Sequence, residues 1–264
     1  MDKATWGGIV LAVGGIVGGL LMEGGNLSQI IQPTAAMIVF GGTFGAVLIQ
    51  FPLPVVVNAL KRLTQVFIEP TRDPTNMVQE LVRYAHRARR EGMVSLDASL
   101  QDVEDAFLKK ALMLAVDGTE PRELRQMMEM ELDNQAEHEE RASQVFESAG
   151  GFAPTVGIIG AVLGLIQVMQ HLDKIDGVGR GIAVAFVATI YGVGSANLFL
   201  FLLPAAGKLR IRIREEQLIR EMTLEGVISI LEGINPRMLE TKLLGFLSTQ
   251  QSENIEDRQI EALQ

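Results

Sequence analysis

Long uncharged apolar runs alternate with charged, helix-patterned stretches along this chain. Four such runs occupy residues 4–22, 34–57, 150–170 and 182–206. A helix rises about 1.5 Å per residue and a bilayer's hydrocarbon core is about 30 Å thick, so each run is long enough to cross. The first is the shortest. Its Lys3 followed by an apolar run has the look of a secretory leader, but Asp2 precedes the lysine and no small-x-small cleavage site follows, so it reads as a span.

The polar stretches carry helix punctuation. Asp73 and Pro74 open "TNMVQELVRYAHRARREG", whose apolar positions recur every three or four residues until Gly92 stops them. A second helix is predicted over 95–116, ended by Gly118. A third, over 120–148, has an acidic exposed face, read as solvated, and runs on into the third span. Beyond the fourth span the pattern predicts a helix over 208–231, a break at Asn235 and Pro236, and a last helix to residue 247. No strand pattern stands out, and the last dozen residues are expected to be disordered. The expected fold class is all-α: an integral membrane protein with four transmembrane helices and a helical cytoplasmic domain. Its segments are 1–57 (spans one and two), 58–149 (cytoplasmic), 150–206 (spans three and four) and 207–264 (cytoplasmic helices and tail).

Charge orients these spans. Residues 58–150 carry 12 Lys and Arg, and the tail after Pro204 carries 8, whereas the turn between spans one and two has none. Between spans three and four there are only Lys174 and Arg180. Basic loops stay inside, so both large polar parts and both termini are expected in the cytoplasm. Lys61 and Arg62, then Lys208, Arg210, Arg212 and Arg214, would hold the inner interface.

The spans are rich in small residues. In lipid there is little hydrophobic drive between helices, and close backbone approach supplies much of the packing energy. Span one has Gly8, Ala12, Gly15 and Gly19; span two Gly41, Gly42, Gly45 and Ala46; span three Ala153, Gly157, Gly160, Ala161 and Gly164; span four Ala188, Gly192 and Ala196. For spans one and two the simple expectation is packing within one subunit. In spans three and four Thr155 and Thr189 accompany the small residues. Either alone could bond its own helix's carbonyl; together they point to the lining of a wet path. Pro154 is expected where its helix starts, or as a kink if the acidic helix continues through it. Pro204, near the inner end of span four, would leave a carbonyl of the preceding turn unpaired, as a hinge or a kink. No carboxylate lies at depth: Glu23, Asp173 and Asp176 fall at the outer boundary. If ions pass, the acid must come from a partner.

Composition narrows the chemistry. Among 264 residues there are 27 Gly and only 5% aromatics, and the net charge is −9. No basic face is available for nucleic acid. The absence of Cys excludes disulfides and thiol nucleophiles, and His86, His138 and His171 are isolated, so no metal site is expected. The glycines at 177, 179 and 181 follow no strand, and there is no Walker-type lysine motif. Neither an enzyme nor a cofactor is expected.

Four stretches carry a family resemblance: "RREGMVSLD" (89–97), "GGFAPTVGIIGAVLGLIQVM" (150–169), "GIAVAFVATIYGVGSANLFLFLLPAAGKL" (181–209) and "EGINPRMLETKLLGFL" (232–247). Their residues and order resemble the MotA/PomA A subunits of the bacterial flagellar motor stator across nearly the whole chain. The resemblance implies a pentameric ring of A subunits in the inner membrane around two single-span MotB/PomB-like B subunits, whose aspartate carries the ion. It implies that Pro154 and Pro204 couple ion passage to cytoplasmic movement, that Thr189 lies beside the partner's carboxylate, and that Pro154 and Thr155 sit near a shared lining closed by the small stripe of span three. It also implies that Arg89 faces the rotor switch protein FliG. It places Asp97 on the same rotor-facing side, where the family usually has a glutamate, one methylene longer. Ala161 occupies a position often held by Thr in sodium-driven members, which leans toward protons. Two other readings stand beside it: within ion-driven machines an ExbB/TolQ-type energiser of outer-membrane processes, usually of three spans, and, in a different class, a membrane scaffold that conducts nothing.

Overall fold

A computed structural model of the chain describes residues 2–68, 74–172 and 175–247, and among these the architecture is all helical. The helices are α1 (Lys3–Met22), α2 (Pro33–Gln50), α3 (Leu53–Arg62), α4 (Thr64–Phe67), α5 (Pro74–Glu91), α6 (Ala106–Val116), α7 (Pro121–Gln170), α8 (Ile175–Gly194), α9 (Leu202–Leu231) and α10 (Pro236–Leu244). Four helical segments are long and apolar enough to cross a membrane. The expected disorder of the last dozen residues, and Asp173 with Lys174, lie outside the described residues.

Several boundaries differ from expectation, each for a local reason. Span two ends at Gln50 rather than 57, because Phe51 precedes Pro52 and takes an extended conformation, φ −120° and ψ 140°. The rest of that apolar run becomes α3, which buries Ala59 and ends on Lys61 and Arg62. The helix expected over 95–116 divides into a 3₁₀ segment, Met93–Ser99, and α6, because the Asp105 side chain caps α6 by accepting from Leu108 N at 2.8 Å. The last helix stops at Leu244. By contrast the acidic helix does run into span three, as the 50-residue α7. Gly92 and Gly118 end α5 and α6 with φ of +85° and +82°, which glycine adopts without steric cost.

Span four begins earlier, at Ile175, and does not run unbroken to residue 206. A π-turn, Ser195–Phe199, follows α8; Phe201 then takes φ +49°, and α9 starts at Leu202.

Contacts divide the chain into two units, each built from two stretches of sequence: 1–70 with 138–212, and 71–137 with 213–264. In the second unit α5, α6, α7, α9 and α10 share one apolar core that includes Leu81, Leu96, Leu108, Leu112, Leu124 and Leu239, all fully buried. Gly226 of α9 lets Leu81 seat there: a Cβ on it would fall 2.7 Å from Leu81 Cδ1. Glu225 joins α7 to α10, accepting from Arg125 Nη2 at 2.7 Å and from Lys242 Nζ. In the first unit Ala149, Ala153, Ala196, Leu202 and Ala205 pack with Val47 and Ala59, and a separate cluster joins Ala35 and Val39 to Val187 and Ala188.

Candidate functional site

The site grows from the seam between α7 and α8. A Cβ on Gly157 would lie 2.9 Å from Ala188 O and 3.1 Å from Gly192 Cα; one on Gly192 would lie 2.6 Å from Ala153 O. One on Gly164 would meet Gly181 O at 2.7 Å and Ala185 N at 2.8 Å. The two backbones therefore touch along an antiparallel seam, and Gly157, Gly160 and Gly164 of span three are used inside the subunit. Span one behaves in the opposite sense. No residue of α1 is buried, and a Cβ on Gly8, Gly15 or Gly19 would meet nothing within 4 Å. Packing within the subunit thus describes the stripe of span three and Gly42 of span two, and not the stripe of span one. A glycine pattern records a capacity for close approach, not which neighbour uses it.

α2 covers one edge of the seam. Ile38 Cγ2 would be 3.4 Å from a Cβ on Gly160, and Val156 Cγ1 2.6 Å from one on Gly42. On that same side a Gly160 Cβ would meet Ala188 Cβ at 2.7 Å. One residue turns a helix by about 100°. Ala161, next after Gly160, and Thr189, next after Ala188, therefore both leave the seam on the edge away from α2, at one depth. Pro154, about two turns before Ala161 on the same side of α7, shares that edge; its Cα would be 3.2 Å from a Cβ on Gly192.

Thr155 is turned about 100° further round and points away from α8. Its hydroxyl donates to Phe152 O at 2.7 Å, and that of Thr189 donates to Ala185 O at 3.2 Å. Both side chains are exposed on the single chain. Each hydroxyl thus spends its proton on its own helix and keeps lone pairs facing outward.

Pro154 lies inside α7, not at its start, and deprives the Gly150 carbonyl of its helical donor. Pro204 departs from expectation. It sits in the first turn of α9, where an N–H would have no partner within the helix, so it costs little there. The interruption of span four is the π-turn and Phe201, whose positive φ costs a non-glycine residue about 1–3 kcal/mol. The two proline regions meet: a Cβ on Gly150 would fall 2.6 Å from Cγ of Leu203, the residue before Pro204.

Arg89 and Asp97 belong to the second unit, and both are exposed. Gly92 turns the chain between them. Fully buried Leu96 and a 2.6 Å hydrogen bond from Arg87 Nη1 to Ser99 Oγ fix that turn.

Sequence reasoning missed two features. Asp2, read only as an argument against a leader, caps α1 by accepting from Ala4 N at 3.0 Å and Thr5 N at 3.2 Å. It also pairs with Lys208 and, at 3.2 Å, with Arg212 of α9. An acidic residue just ahead of an apolar run was the available signal. The other is the π-turn, marked by Gly194 directly before it and the polar pair Ser195 and Asn197 within an apolar run.

Fold and seam together define an all-α, four-span integral membrane subunit with a helical extramembrane unit. Comparison narrows the class. Residues 6–92 match the profile of the motility protein A N-terminal region, and residues 99–222 that of the MotA/TolQ/ExbB proton channel family. Motility protein A of Bacillus subtilis is 37% identical over 251 residues, covering 94% of this chain and 91% of its own. The solved C. jejuni MotAB structure aligns with a TM-score of 0.88 at 32% identity, covering 94% of this chain and 97% of the matched one. The MotAB stator complex of Bacillus subtilis aligns with a TM-score of 0.85 at 36% identity over the same shares. The chain belongs to the MotA/PomA family of flagellar motor stator subunits. It is a membrane protein of the bacterial inner membrane, and an ExbB/TolQ-type role is not favoured.

Proposed function

We propose that five copies of this chain form a ring around two B subunits, that protons pass along the Thr189 edge, and that the resulting movement is delivered to FliG. The carrying observation is the exposed edge of the α7–α8 hairpin, where Ala161 and Thr189 sit side by side beside Pro154 while the apolar runs hold no acid at depth. A carboxylate within a span costs about 2.5–3.5 kcal/mol on insertion scales, so a chain without one is suited to wrapping a partner that supplies it. Thr189, its proton already given to Ala185 O, offers lone pairs to a protonated carboxyl or a hydronium. With Ala161 opposite, that edge lacks the second hydroxyl that would help replace a sodium ion's hydration shell. Pro154 frees the Gly150 carbonyl, and the Cα of Gly150 packs on Leu203, so displacement of α7 on this edge reaches the start of α9 at Pro204. Thr155, turned off the hairpin edge, serves the lining only where a neighbouring copy completes it. Both termini lie in the cytoplasm, on the side of the basic segments.

Rotor contact falls to exposed Arg89 and Asp97. One charge falling through 100 mV releases about 2.3 kcal/mol, whereas an exposed ion pair contributes about 0–1 kcal/mol. One proton can therefore release a few such pairs and not a large apolar interface. The test is Thr189→Val, which keeps shape and removes the hydroxyl. A hydrogen bond to a charged group contributes about 1.5–3 kcal/mol, so proton flux through the complex with its B partner should fall about tenfold or more with membrane assembly intact. Undiminished flux and swimming would overturn the assignment.

A further inference from the structure

Several helical hydroxyls in this chain turn back onto their own backbone: Thr155 to Phe152 O, Thr189 to Ala185 O, Thr223 to Ile219 O and Thr241 to Arg237 O. Thr43 of α2 and Ser195 at the start of the π-turn do not. They are 4% and 1% exposed, and neither hydroxyl has a hydrogen-bond partner among the described residues.

Register sets these two at a similar depth. α2 and α8 both run antiparallel to α7, since Ile38 lies by Gly160 and Gly42 by Val156, while Gly157 lies by Gly192 and Gly164 by Ala185. They are therefore parallel to each other. Phe40 of α2 stacks on Tyr191 of α8, ring centroids 5.8 Å apart. About one helical turn further along each helix come Thr43 and Ser195. The layer before them is apolar, Val39 with Val187 and Ala188; the layer after is apolar as well, with Val47 and Ala196 in one cluster. Two dry layers thus enclose one layer holding two orphaned hydroxyls.

We propose that Thr43 and Ser195 hold one internal water molecule between α2 and the π-turn. Buried hydroxyls in native proteins are almost always paired, and buried waters are found where two or more polar groups converge without protein partners. The wider turn beginning at Ser195 departs from the α-helical hydrogen-bond pattern, and there the Asn197 side-chain amide already donates to Val193 O at 3.0 Å. A water at Ser195 gives this interruption an exchangeable partner, so the turn can rearrange without leaving a polar group dry.

The test uses the full chain purified with its partner subunit in lipid nanodiscs. A structure resolving ordered water should show one density within hydrogen-bonding distance of both hydroxyls; two hydroxyls facing apolar atoms with no density between them would overturn the proposal. Thr43→Val and Ser195→Ala, which preserve packing, give a second reading. Each should lower Tm by about 2–4 °C, and the double variant by no more than one of them, because either change evicts the same molecule. Losses that add, or a Thr43→Val complex as stable as the parent, would sink it.

Discussion

Individual glycines in this chain act in opposite ways that their spacing does not reveal. Gly192 and Gly15 each belong to a small-residue stripe, yet a Cβ on Gly192 would stand 2.6 Å from the Ala153 carbonyl while one on Gly15 would meet nothing within 4 Å. Backbone atoms on α7 cannot rotate aside as a flexible side chain could. Gly192→Ala should therefore separate the α7–α8 seam at a cost of about 1–3 kcal/mol, lowering Tm and reducing assembled complex. Gly15→Ala should leave the isolated subunit as stable or slightly more so, since alanine favours helix by about 1 kcal/mol. Thermal unfolding of the two variants side by side checks both. Thr155 and Thr189 carry a similar lesson. Both were legible as hydroxyls in apolar spans, but only their angular position relative to Gly160 and Ala188 separates one on the hairpin edge from one turned away from it.

Elements were read well where punctuation is local. Pro74 and Gly92 bound α5, and the acidic pattern after residue 120 does continue into the third span. They were read poorly where an interruption has no proline or glycine of its own. The π-turn and Phe201 break span four within an apolar run that hydropathy treats as continuous. In the extramembrane unit, α7, α9 and α10 are joined by a charge network. Burial alone would raise the pKa of Glu225, but hydrogen bonds and charge from Lys242 and Arg125 outweigh it and hold the carboxyl below its usual range. A depressed folded pKa means that this contribution is complete above the unfolded value, about 4.3, and is lost as pH falls through the folded one. Calorimetry of the complex should show the extramembrane transition weakening below that pH. Glu225→Gln should lower stability at neutral pH and flatten the acid dependence in that window.

At the scale of the whole molecule, delivery of movement can be separated from stability. Arg89 and Asp97 are exposed on a turn anchored by buried Leu96, so reversing their charge leaves the core untouched. Arg89→Glu should abolish or sharply slow swimming while ring assembly and proton flux stay near the parent level; a loss of flux would place Arg89 in conduction instead. The sequence by itself determined the class: apolar runs of spanning length, basic segments between and after them, spans without an acid, and motif order across nearly the whole chain. These are properties of composition and spacing along one dimension, where burial in lipid acts on each run separately. Which stripe meets which helix, that Pro154 lies inside a continuous helix while Pro204 sits in the first turn of one, and that Thr43 and Ser195 are both buried were decided only by tertiary structure. Such facts depend on the rotation and register of one helix against another, and small residues permit many close packings of nearly equal merit until all the neighbours are in place.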